Sequence, residues 1–123
     1  MSARTVLVAD DEPDNRAIMA AVLAASGYRV LEAKNGAEAV DAAVRELPDL
    51  ILLDMAMPVM SGWDAARRLK SMERTRAIPI LAFTAFALAG DELKVREAGC
   101  EGYVSKPCVP ADVVRKIREK VGN

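Results

Sequence analysis

Five short runs of mostly apolar residues recur along the chain, at Thr5–Asp10, Tyr28–Ala33, Leu50–Asp54, Ile78–Thr84 and Gly102–Ser105, and the gaps between them carry helical spacing. This strict alternation constrains the fold more than any other property of the sequence. Strands separated by helices pair in parallel through right-handed crossovers and place helices on both faces of one sheet. The first, third and fourth runs read as strands buried on both sides; the second and fifth are more mixed.

The gaps supply their own start and stop signals. Pro13 suits the first turn of a helix carrying Ile18, Val22 and Leu23, and Gly27 ends it. Asn35 caps a second helix that runs through Glu46, with Ala39, Val40, Ala43, Val44 and Leu47 as its apolar stripe and Pro48 marking its end. A third helix begins at Ser61 or Gly62 and holds Ala65, Ala66, Leu69 and Met72. A fourth runs from about Leu88 to Ala98 before Gly99, and a fifth from Pro110 to Val121 turns Val113, Val114, Ile117 and Val121 inward. The expected fold is α/β: a doubly wound five-stranded parallel sheet of order 2-1-3-4-5 with five helices. That order reverses between the first and third strands, where such sheets bind ligands.

A length of 123 residues suits one domain spanning 1–123. Seventeen Lys+Arg against eighteen Asp+Glu give a net charge of -1, with the cations dispersed apart from the Arg115–Lys120 region, so nothing tracks a nucleic-acid backbone. The start lacks the pattern of a signal peptide, and no apolar stretch approaches the roughly 20 residues that span a bilayer; a soluble cytoplasmic protein is expected. Cys100 and Cys108 lie outside any metal-binding spacing, and the chain has no histidine, so both read as reduced thiols.

The first apolar run stops at Asp10-Asp11-Glu12 and the third at Asp54. In a parallel sheet all strands open at their carboxyl ends on one edge, so Asp10, Asp11, Asp54, Thr84 and Lys106 converge there. Carboxylates so close raise one another's pKa or repel unless a cation lies among them. Oxygen ligands without histidine or thiolate specify a hard dication, and a shallow cleft that leaves water ligands in place favours Mg²⁺ over Ca²⁺. Lys106 adds a positive charge and Thr84 a hydroxyl, a combination that suits a phosphoryl group. Taken singly, an Asp or Thr ending a strand is a turn former and a Lys before Pro a surface residue; it is their joint occurrence that points to a site.

The motifs D10-D11, D54-M-A-M-P-x-M-S-G, T84-A85 and Y103-x-S-K106-P107 resemble, as a set, the receiver domain of two-component response regulators over essentially the whole chain. The runs T84-A-F-A-L-A-G-D-E and G99-C-E-G-Y-V-S-K-P further resemble single-domain cell-cycle regulators of the DivK kind. The resemblance implies that Asp54 accepts a phosphoryl group from a phosphohistidine on a histidine kinase or histidine phosphotransfer protein. It implies Mg²⁺ ligation by Asp11 directly, by Asp10 mainly through water, by Asp54 and by the carbonyl of Ala56. It also implies a switch in which Thr84 swings inward and Tyr103 rotates from exposed to buried, altering a face made of the fourth helix, fifth strand and fifth helix for a downstream protein target. A cis bond between Lys106 and Pro107 is implied as well.

With no histidine the chain is not its own phosphohistidine donor. Ala56 and Phe86 offer no polar group to orient water, so a slowly self-hydrolysing phosphoaspartate is expected from a signalling protein rather than an enzyme. Glu12 reads as a cap or first-turn residue; Trp63, Met55, Met57 and Met60 read as packing. The alternatives are a haloacid-dehalogenase-like phosphohydrolase, which would carry its nucleophile on the first strand and a second Asp where Ala56 stands, a flavodoxin-like electron carrier, and a receiver domain excised from a hybrid kinase.

Overall fold

The computed structural model describes residues 3–55, 57, 59–84, 89–105 and 110–122, and of residues 84, 89–92 and 105 the backbone alone. Strands β1 (Thr5–Ala9), β2 (Arg29–Ala33), β3 (Leu50–Asp54), β4 (Ile80–Thr84) and β5 (Gly102–Ser105) alternate with helices α1 (Pro13–Ala25), α2 (Gly36–Glu46), α3 (Gly62–Ser71), α4 (Ala89–Glu97) and α5 (Pro110–Val121). The strands form one sheet of order β2-β1-β3-β4-β5, and every pairing is parallel. The expected topology holds in full.

Period-two alternation divides the core between the two faces. Leu7, Ala9, Ile51, Leu53, Ile80 and Ala82 point toward α2, α3 and α4, where they meet Ala39, Val40, Ala43, Ala65, Ala66, Leu69 and Val95. Val6, Val8, Leu50, Leu52, Leu81 and Val104 point the other way, toward Met19 and Leu23 of α1 and Val113, Val114 and Ile117 of α5. Central β3 is buried at every position, Asp54 included. An apolar run of this kind, closed by a carboxylate, is what carries an ionisable group to the middle of the sheet.

Several boundaries and faces depart from the sequence expectation. Ile18 is exposed at 55%, while Met19 and Leu23 turn inward. Alanine-rich α1 offers no strong stripe, so the phase of the helix is set by tertiary packing. Leu47 leaves the stripe of α2: it is the left-handed C-cap at φ 48 and is 42% exposed. Strand β4 starts at Ile80 rather than Ile78, because Pro79 has no N–H to offer the ladder and Ile78 closes the preceding turn through its N–H to Thr75 O. Asn35 caps α2 by accepting from Glu38 N at 2.8 Å, and Ser61 caps α3 by accepting from Asp64 N at 3.2 Å.

The amino edge of the sheet is closed by charge pairs. Asp49 accepts from Thr5 N at 2.7 Å and lies 3.8 Å from Arg4. Lys70, at the end of α3, donates to Arg76 O, Ile78 O and Glu101 Oε2, the last at 2.8 Å, while Glu101 Oε1 accepts from Ile80 N. No helix among the described residues is long and apolar enough to cross a membrane.

Candidate functional site

At the carboxyl edge, β1 and β3 lie side by side with Ala9 opposite Leu53, so the residues that follow them share one cleft. Asp10, Asp11 and Asp54 each place a carboxylate oxygen there, all within 4.8 Å of one another. Asp10 and Asp54 are buried and Asp11 is exposed. The site sits where the sheet order reverses, at the position the alternation predicted.

The surrounding backbone fixes this geometry. Asp10 N donates to Ala33 O at 3.0 Å, and Asp10 Oδ1 accepts from Glu12 N at 2.9 Å, which turns the chain sharply from strand into α1. Glu12 occupies the N-cap of α1 but its side chain makes no capping hydrogen bond, so its role there is positional. On the other side the chain after Asp54 folds back tightly. Gly62 N donates to Met55 O, and a Cβ on Gly62 would meet the Asp54 carbonyl and lie 2.6 Å from Met55 Cα. Gly36 N in turn donates to Met60 O at 3.1 Å, tying the start of α2 to the same loop. Met55 and Met57 are buried, and Met60 and Trp63 pack against the core, as packing residues should.

Val59 is 86% exposed and adopts φ 69, a left-handed conformation that β-branched residues rarely take. Nothing in the sequence signalled it. Tyr103, on β5 opposite Ala82, is half-buried and packs against the core face shared with α4. Thr84 ends β4 opposite Ser105, at the level of the acid cluster's edge; its hydroxyl, like Ala56, Phe86, Lys106, Pro107 and Cys108, lies outside the described residues. Cys100 is buried before β5, and its thiol is pushed up to about 12, first by desolvation and then by the Glu101 charge, against an opposing pull from Lys70.

A donor set of three carboxylates, with no histidine in the chain, fits a hard dication and fits soft transition metals poorly. One of these acids is exposed and two are buried, so the cluster is reachable from solvent on one side.

Residues 6–118 match the family described as the response regulator receiver domain. The polar-differentiation response regulator DivK of Brucella anthropi is 38% identical over 120 residues, covering 98% of this chain and 98% of that protein. Among solved structures, the receiver domain of the sensor histidine kinase PA1611 from Pseudomonas aeruginosa PAO1, with a magnesium ion coordinated in its active-site cleft, superimposes with a TM-score of 0.90. It is 35% identical and the match covers 99% of this chain and 100% of that one. The receiver domain of Saccharomyces cerevisiae Ssk1, solved in complex with the histidine phosphotransfer protein Ypd1, gives a TM-score of 0.90 at 29% identity over 97% of this chain and 89% of that one.

Proposed function

Because the chain belongs to the response regulator receiver domain family, we propose that it signals by accepting one phosphoryl group on Asp54 from a phosphohistidine of a histidine kinase or a histidine phosphotransfer protein. The observation that carries this reading is the convergence of Asp10, Asp11 and Asp54 within 4.8 Å at the reversal point of the sheet. A carboxylate oxygen of Asp54 attacks phosphorus, the O–P bond forms as the N–P bond breaks, and the electron pair returns to the donor imidazole. Asp11 and Asp54, with the Ala56 carbonyl, would hold Mg²⁺ directly and Asp10 mainly through water. When bound, Mg²⁺ supplies positive charge against the oxygens gathered around the transferring group. Lys106 adds a second positive charge, and Thr84 a hydroxyl that donates to the phosphoryl group once it is in place.

That donation is the proposed origin of the output. Thr84 moves toward Asp54, Tyr103 turns inward behind it, and the face of α4, β5 and α5 changes what it binds. Phosphoryl group and downstream target favour the same conformation, so each tightens the other. With Ala56 and Phe86 in place of side chains that orient water, self-dephosphorylation is slow, and the protein acts as a phosphoacceptor rather than a turnover enzyme. We read residues 1–123 as one receiver module working in the cytoplasm. The relatives named DivK, matched over 98% of their own length, favour a stand-alone regulator over a piece of a hybrid kinase. A haloacid-dehalogenase-like site is disfavoured because Asp54 ends β3, not β1, and the acid pair follows β1.

The test is incubation of the protein with Mg²⁺ and a small phosphodonor such as acetyl phosphate, followed by intact and peptide mass spectrometry. One base-labile phosphate on Asp54, absent from Asp54→Asn, supports the reading. Modification elsewhere, or none with Mg²⁺ present, refutes it.

A further inference from the structure

Arg16 lies in the first half of α1 and is not an acid, a hydroxyl or a neighbour of the motif acids, so sequence patterning passes over it. In the structure its side chain folds back over the end of β1. Its Nη1 donates to the carbonyl oxygen of Asp10 at 2.7 Å, and its Nε lies 3.3 Å from Glu32 Oε1 on β2. The Arg16 side chain is only 19% exposed, against 50% for Glu32, so this is a largely covered guanidinium rather than a solvated surface charge.

The placement matters because the Asp10 carbonyl belongs to the peptide that joins Asp10 to Asp11. Asp10 is then held at its N–H by Ala33 O, at its carbonyl by Arg16 and at Oδ1 by Glu12 N. Fixing the 10–11 peptide plane fixes the direction in which Asp11 leaves the backbone. Asp11 is the exposed member of the cluster. Its aim therefore depends on the backbone more than on packing. A guanidinium suits this role because its rigid fork bonds the carbonyl and the Glu32 carboxylate in one orientation, which a single ammonium does not reproduce.

We infer that Arg16 is a positioning residue for the divalent-cation site: anchored to β2 by Glu32, it orients the Asp10–Asp11 peptide so that Asp11 faces Asp54. The inference rests on the reading of the acid cluster as a Mg²⁺ site. Two effects of Arg16 have opposite signs, and this makes the inference testable. A positive charge this near the cluster repels a dication, so a residue acting through charge alone weakens Mg²⁺ binding, and its removal tightens binding. A residue acting by orientation does the reverse.

The experiment is titration of the metal-free protein with MgCl₂, followed by calorimetry and by the emission of Trp63, the one tryptophan of the chain, which follows Gly62 in the first turn of α3 where that helix meets the Asp54 carbonyl. Wild type, Arg16→Gln, Arg16→Lys and Glu32→Gln are compared. Arg16→Gln is expected to weaken Mg²⁺ binding roughly tenfold, the scale on which residues that orient metal ligands act. Arg16→Lys, which keeps the charge and loses the fork, is expected to weaken it nearly as much, and Glu32→Gln, at a half-exposed position that does not endanger folding, a few-fold. Unchanged or tighter binding by Arg16→Gln, or full retention of affinity by Arg16→Lys, overturns the positioning role. If wild type itself binds no Mg²⁺, the metal-site reading falls and the inference with it, a result distinct from the one that refutes Arg16 alone.

Discussion

The two edges of this sheet handle charge in opposite ways. At the amino edge Asp49 accepts from Thr5 N and pairs with Arg4, and Glu101 accepts from Ile80 N and pairs with Lys70. At the carboxyl edge three carboxylates are collected into one cleft, two of them buried. At the amino edge the carboxylates fasten strands and loops together, whereas at the carboxyl edge three acids share one cleft, a gathering of like charge that a cation relieves. In the proposed function, the difference separates the end of the molecule that stabilises from the end that takes the phosphoryl group.

If that separation is real, substitutions at the two edges have different signatures. The largest effect falls at Gly62, where a Cβ would press on the Asp54 carbonyl and Met55 Cα. Gly62→Ala is expected to cost about 3 kcal/mol in chemical denaturation, the upper range for overpacking, and to impair phosphoryl acceptance as well. Retention of both would show that the β3–α3 loop is more adaptable than its contacts indicate. Next, Lys70→Met removes the donor to two carbonyls and a carboxylate at a side chain only 16% exposed. A loss of about 2 kcal/mol is expected, with Mg²⁺ affinity unchanged. A change in affinity would mean the edges are coupled.

Smaller effects sharpen the same contrast. Val59→Asn replaces an exposed β-branched residue in a left-handed conformation by one that tolerates it, and should raise stability by about 1 kcal/mol. A loss of stability there would mean that Val59 makes a contact worth more than its strain. The smallest effect near neutral pH belongs to Cys100, at the amino edge. Its thiol is held protonated up to about 12 against an ordinary 9.0, so the folded state keeps a proton that the unfolded chain releases. Its contribution is whole below pH 9 and is lost as pH rises from 9 toward 12. Cys100→Ala should flatten that part of the stability profile, measured in a Cys108→Ser background.

Much of the fold is legible in the sequence, for identifiable reasons. Strand order follows from alternation, and the acid cluster follows from apolar runs ending in Asp10 and Asp54, because a parallel sheet brings strand ends together whatever their loops do. The caps at Asn35 and Ser61 are readable because capping is local. The inward face of α1 is not: with alanines at 17, 20, 21, 24 and 25, the choice between Ile18 and Met19 depends on what α5 and the sheet present. Leu47 departs from its expected stripe since the left-handed turn it adopts normally selects Gly or Asn. Arg16, Lys70 and Glu101 carry no sequence signal because their contacts join different elements at separations that follow no helical or strand period, set by geometry and not by pattern.

The most direct measurement of the central claim is calorimetric titration of metal-free wild type and Asp11→Asn with MgCl₂. The account predicts one Mg²⁺ site in wild type and its loss in Asp11→Asn, with the fold of both unchanged by circular dichroism. Equal binding by the two proteins, or none by wild type, would contradict it.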